Sequence, residues 1–143
     1  MPTMSADQRR AEEKLAYDAF LSVCPSRQLL ARISDKWVAL ILAALGEDGP
    51  DGRRGGPRAM RYAQLSRRLA GVSQKMLTQT LRALERDGLV AREVTAAVPV
   101  RVDYELTELG RSLLPILRAV KQWAEHNMDD VTTARERYDG RAQ

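Results

Sequence analysis

The sequence predicts a mainly α-helical chain with one small β-hairpin. Three observations carry this. Residues 73 to 90 place Leu77, Leu81 and Leu84 on one side of a helix and Lys75, Gln79, Arg82 and Arg86 on the other, at about 100° per residue. Two short alternating segments follow, separated by a turn that contains Pro99. Long apolar-striped segments then flank this block on both sides.

The helix 73–87 has its own punctuation. Ser73 is a natural N-cap, and Gly88 can adopt the left-handed conformation that ends a helix. Its apolar side can dock while its basic side faces out. A basic stripe is often no more than a solvated face. Here, however, the segment after Gly88 adds to it. Leu89 to Thr95 reads as a strand, Ala96 to Val100 as a turn, and Arg101 to Leu106 alternates apolar Val102, Tyr104 and Leu106 with polar residues. Two strands across a short turn make a hairpin. Ala63 to Ala70, with Leu65 and Leu69 docking, reads as a preceding helix, and Gly71-Val72 as the turn between the two. Helix, turn, helix, hairpin is the winged helix-turn-helix order, which reads the major groove with its second helix. Ala59 to Tyr62 is expected to form a short strand beside the hairpin.

Upstream, Asp7 to Ser22 reads as an amphipathic helix carrying Leu15, Ala19 and Phe20. Cys24-Pro25 breaks it, since a residue before proline disfavours helix. Ser26 is expected to cap a short helix from Arg27 to Ile33. Asp35 is expected to cap Lys36 to Leu45, whose Trp37, Val38, Leu40, Ile41, Leu42 and Leu45 make it the central buried helix. Residues 46–57 hold five glycines and two prolines and read as a loop. Downstream, Thr107 caps a final helix expected to run to about Asn127. Leu109, Leu113, Ile116, Leu117, Val120 and Trp123 form its apolar face, and Pro115 should bend it. The polar segment from Val131 onward is expected to fray. The organisation is thus an N-terminal extension at 1–23, a winged core at 24–106, a C-terminal helix at 107–127 and a flexible tail at 128–143.

Charge agrees with a polyanion partner. The 143-residue chain carries a net charge of +4, with an isoelectric point near 9.6. Residues 53–101 hold 11 Arg or Lys against 3 Asp or Glu, a balance of +8, while the rest holds 12 against 16, a balance of −4. Basic charge is concentrated on the segment expected to read DNA. One cysteine and one histidine remove disulfide frameworks and multi-cysteine metal sites. No paired carboxylates, phosphate loop or Ser-His-Asp order point to an enzyme, and no cofactor or metal is expected. His126 reads as a solvated or capping residue. No apolar run reaches roughly 20 residues, and charged residues occupy the N-terminus, so a cytoplasmic protein without a membrane partner is expected.

The terminal helices carry more apolar surface than a small winged core can cover, so a twofold homodimer is expected. Two reading helices about 34 Å apart would match successive major grooves. Within this reading the double-stranded DNA contacts are Lys75, Gln79 and Arg82, with Ser73, Gln74 and Thr78 near the helix start and Arg92 and Arg101 on the wing. A module for protein–protein contact is the alternative. It would present an apolar or acidic face.

The chain resembles the HxlR-type bacterial transcriptional regulators, within the wider MarR-like winged-helix group. The resemblance rests on Cys24-Pro25, Asp35-Lys36-Trp37 leading into Leu40-Ile41-Leu42, and Arg61-Tyr62-Ala63-Gln64-Leu65. It continues through Gly71-Val72-Ser73-Gln74-Lys75-Met76-Leu77-Thr78-Gln79, Asp87-Gly88-Leu89-Val90, Val98-Pro99 and Leu106-Thr107-Glu108-Leu109-Gly110. It spans roughly residues 22 to 127, and its specificity lies in the order and spacing of the pieces. It implies a homodimer on operator DNA, often beside its own gene. Loop 46–58 is longer and richer in Gly and Arg than this family suggests. Arg53, Arg54 and Arg58 form either a phosphate-contacting arm or an insertion without a role. In several members a cysteine at the position matching Cys24 senses oxidants or electrophiles such as quinones. The effector would then be an oxidant. If Cys24 is inert, it would be a small molecule held between the dimer helices and the core.

Overall fold

The computed structural model describes residues 3–46 and 58–141. Among these residues six helices and three strands follow in order: α1 (Ala6–Val23), α2 (Pro25–Ile33), α3 (Lys36–Gly46), β1 (Met60–Arg61), α4 (Tyr62–Arg68), α5 (Gln74–Arg86), β2 (Val90–Thr95), β3 (Arg101–Leu106) and α6 (Glu108–Arg141). The strands form one antiparallel sheet in the order β1-β3-β2. A winged helix-turn-helix head therefore sits between long helices at both ends.

The core is built on α3. Ile41, Leu42 and Leu45 are fully buried and meet Leu65 of α4, Leu77, Leu81 and Leu84 of α5, Val90 of β2, Leu106 of β3 and Leu113 and Leu114 of α6. Asp35 caps α3 as expected, its carboxylate accepting from the Trp37 N–H at 2.8 Å. The helix is less uniformly buried than its composition suggests, because Leu40 remains exposed. Gly46, expected in the loop, is the last residue of α3 and is buried. A Cβ there would come within 2.5 Å of the Leu114 side chain. The remainder of that loop, with Arg53 and Arg54, lies outside the described residues.

Two further expectations are corrected. The cap of α2 is Cys24 rather than Ser26. Pro25 takes the first helical position, where its missing N–H costs nothing and its fixed φ suits the helix, so the helix starts two residues early. The larger correction concerns α6, which runs on to Arg141 instead of ending near Asn127. Asn127 does not terminate it. Its side-chain amide donates to the Trp123 carbonyl at 2.8 Å, within the helix. Residues 128–139 contain neither Gly nor Pro, so no breaker interrupts the backbone ladder, and a helix already formed extends at one hydrogen bond per residue. Residues 128–141 are thus helical rather than a tail. Pro115 does lie inside α6.

The joint between α5 and α6 is tightly specified. Gly88, at φ +75°, ends α5 with two hydrogen bonds, Gly88 N–H to the Glu85 carbonyl and Leu89 N–H to the Leu84 carbonyl, both 3.0 Å. This is the Schellman pattern. Thr107 caps α6 by accepting from the Gly110 N–H at 3.0 Å and donates its own proton to the Gly88 carbonyl. One hydroxyl thereby ties the end of α5 to the start of α6.

Candidate nucleic-acid interface

Helix α5 is the element on which the site is built. Ser73 caps it, its hydroxyl oxygen accepting from the Met76 N–H at 3.1 Å. Leu77, Thr80, Leu81 and Leu84 are buried, and the Thr80 hydroxyl donates to the Met76 carbonyl at 2.7 Å, so no polar group on the docked side lacks a partner. With that side anchored, Lys75, Gln79, Arg82 and Arg86 all lie exposed on the side away from the core.

Between α5 and the wing runs an open cleft of about 440 Å³. Gln74, Thr78, Arg82 and Glu85 line it from α5, and Arg92, Val102 and Tyr104 from the sheet. Strand register explains the sheet side. Val90 pairs with Leu106, Arg92 with Tyr104 and Val94 with Val102, and alternate residues share a face. The pair nearest the helix joint is buried in the core, and the next pair opens into the cleft.

The same register separates two residues expected to act together. Arg92 joins Gln74, Thr78 and Arg82 at the cleft. Arg101 pairs with Thr95 and therefore points to the opposite face of the wing. There it is held by Asp103, guanidinium Nε to carboxylate at 2.9 Å. Asp103 stands between Glu93 of β2 and Arg61 of β1; opposed like charges repel, so Arg101 adds a second cation beside it. Lys75 and Gln79 are on the outward stripe rather than in the cleft.

Tyr62 is a site residue that the sequence reading missed. Its hydroxyl donates to the Gln74 carbonyl at 3.1 Å and lies 3.3 Å from the Thr78 hydroxyl. It braces the first turn of α5 from the start of α4 and occupies part of the hydrogen-bonding capacity of Thr78. Glu85 and Tyr104, which also line the cleft, were likewise not singled out. Alternation marks the side of β3 that carries Tyr104, but only the packing of α4 and α5 on α3 brings Tyr62 to Thr78. Arg58, at the end of the long loop, is exposed and donates its backbone N–H to the Leu45 carbonyl at 3.2 Å.

The model of the HxlR-like helix-turn-helix family matches residues 32–132. The chain belongs to that family. It is 36% identical over 136 residues to the uncharacterised HTH-type transcriptional regulator YtfH of Escherichia coli K12, covering 95% of this chain and 97% of the relative. Among solved structures, the YtfH regulator of Salmonella typhimurium is 39% identical with a TM-score of 0.64, covering 82% of this chain and 96% of the other. The redox regulator HypR in its reduced form is 36% identical with a TM-score of 0.65, covering 77% and 99%. Like its HxlR-like relatives, the protein is a DNA-binding helix-turn-helix transcriptional regulator. Among the described residues no helix is long and apolar enough to cross a membrane, and no cluster of acidic, histidine or cysteine side chains could hold a metal.

Proposed function

We propose that two copies of this chain form a dimer on operator DNA and repress transcription there. Helix α5 would lie in the major groove, with the β2–β3 wing against the backbone or the adjacent minor groove. The observation that carries this reading is the exposed row Lys75, Gln79, Arg82 and Arg86 on a helix whose other side is buried in the core. Arg and Lys suit phosphates and guanine edges, and Gln suits adenine. Arg82 and Arg92 add cations from both walls of the cleft. Ser73, Gln74 and Thr78 sit where the helix N-terminus meets DNA. A module that binds only proteins would present an apolar or acidic face, and this face is cationic.

Dimerisation is supported by what the fold leaves uncovered. Leu15, Phe20 and Val23 of α1 and Ile116, Val120 and Trp123 of α6 are all at least half exposed. Exposed apolar surface of this kind on two helices calls for a partner. Repression is favoured over activation because occupancy of a promoter is enough to block it.

A second reading, supported by the similarity to HypR and to the reduced and diamide-treated forms of YodB from B. subtilis, adds redox control through Cys24. This half-buried thiol occupies the joint between α1 and α2. The chain holds one cysteine, so a protein disulfide must join two subunits. Two thiols would lose two protons and two electrons to an oxidant such as diamide, which becomes the hydrazine.

The experiment is fluorescence anisotropy with DNA from upstream of the protein's own gene, and with random DNA as control. It is run with reductant, with diamide, and with Cys24→Ser. Specific binding that changes on oxidation in the wild type alone supports both readings. Specific binding indifferent to oxidant keeps the regulator and removes the redox switch. If genome-wide selection of bound fragments also fails to find a preferred site, operator binding is overturned.

A further inference from the structure

The C-terminal end of α5 carries an unfavourable charge. Asp87 is its C-cap, and a carboxylate there faces the negative end of the helix dipole. The charge is met from 55 residues away in sequence. The Arg32 guanidinium Nε lies 2.6 Å from the Asp87 carboxylate, with both side chains about one-third exposed. Arg32 stands in the last turn of α2.

Helix α2 has little else to hold it in place. None of its residues is fully buried, and Leu29 and Ile33 pack only partly against the core. Helix α1 has no buried residue at all. It joins α2 through one extended residue, Cys24. By contrast α5 is anchored by three fully buried leucines. The weakly attached arm α1–α2 is therefore clamped by an ion pair to the end of the firmly attached reading helix.

We propose that Arg32 and Asp87 form a strut that sets the angle between the dimer arm and the reading helix, and thereby the distance between the two reading helices of a dimer. This rests on the dimeric, operator-binding reading above. The two are positioning residues. Neither lies on the outward stripe of α5 or in the cleft, so DNA contact is not required of them. Two linked reading heads gain avidity only where both can engage at once. A strut that fixes their separation makes the dimer selective for half-site spacing.

The test uses the full chain and a duplex selected by the wild type from random-sequence DNA. From that duplex come a series with spacers lengthened or shortened by one and two base pairs, and a single half-site. Arg32→Ala, Asp87→Ala and the charge swap Arg32→Asp/Asp87→Arg are compared, with oligomeric state measured by analytical ultracentrifugation and fold by circular dichroism. Both single variants should remain dimers, lose about tenfold or more on the two-half-site duplex, and respond less to spacer length. Their affinity for the single half-site should stay within about twofold, and the charge swap should restore both affinity and spacing dependence. Equal loss on the single half-site would show that the pair only supports α5, and unchanged spacing dependence would show that it sets nothing. Either result overturns the strut while leaving the dimer intact. A monomeric wild type would overturn the dimer reading itself, and the strut with it.

Discussion

Gly110, in the first turn of α6, lies directly against the backbone carbonyl of Leu89, so that a Cβ at position 110 would overlap the oxygen. The Leu89 carbonyl also accepts the Thr107 N–H at 3.1 Å. The helix α6 thus starts where the strand side of the head begins, at backbone-to-backbone distance.

Gly110→Ala should therefore destabilise the fold. Alanine normally favours a helix over glycine by about 1 kcal/mol. Here the atom it would meet is backbone, which cannot swing aside as a side chain can. Overpacking of this kind costs about 1–3 kcal/mol, and the clash should win. Urea denaturation followed by circular dichroism would read a lower midpoint. A rise in midpoint would mean that α6 can shift freely off Leu89.

Thr107→Val should cost about 1 kcal/mol or somewhat more. It keeps the shape but removes both the cap on the Gly110 N–H and the bond to the Gly88 carbonyl. Thr107→Ser should recover most of the loss in the same denaturation assay, since the hydroxyl does the bonding.

Tyr62→Phe should leave the fold nearly unchanged, because the ring is retained and only an exposed-side hydroxyl is lost. It frees the Gln74 carbonyl and the Thr78 hydroxyl. Discrimination between the operator and random DNA should fall by about 1 kcal/mol, roughly the worth of one hydrogen bond. Anisotropy titrations with both duplexes measure this. An unaltered ratio would remove Tyr62 from the group that positions α5.

Arg82→Ala should weaken operator binding by at least ~1 kcal/mol. Arg92→Ala, on the facing wall of the cleft, should weaken it more than Arg101→Ala does. Arg101 is already engaged by Asp103 and points to the other face of the wing. Salt titrations provide the check, since each lost phosphate contact lowers the salt slope by about 1. If Arg101→Ala lowers the slope more than Arg92→Ala, the wing meets DNA with its opposite face.

What the sequence alone determined was local. Helix α5 begins at Ser73 and stops at Gly88 because capping and left-handed turns depend on residues within one turn of the end. The apolar repeat of α5 and the alternation of β2 and β3 follow from the periods of their backbones, and they place Lys75, Gln79, Arg82 and Arg86 on one stripe without reference to the rest of the chain. The end of α6 is not legible in the sequence for a related reason. Loss of an apolar face signals loss of packing, whereas a helix already nucleated on the core extends at one backbone hydrogen bond per residue until a breaker stops it. The tertiary structure alone decided which distant groups meet. The turn between β2 and β3 set the register that sends Arg92 into the cleft and Arg101 away from it. The packing of α4 and α5 on the shared α3 brought Tyr62 to Thr78, and the packing of α2 on α3 brought Arg32 to Asp87. None of these contacts leaves a periodic trace, because ion pairs and hydrogen bonds between elements depend on where rigid bodies cross, and that is settled by the shared core beneath them.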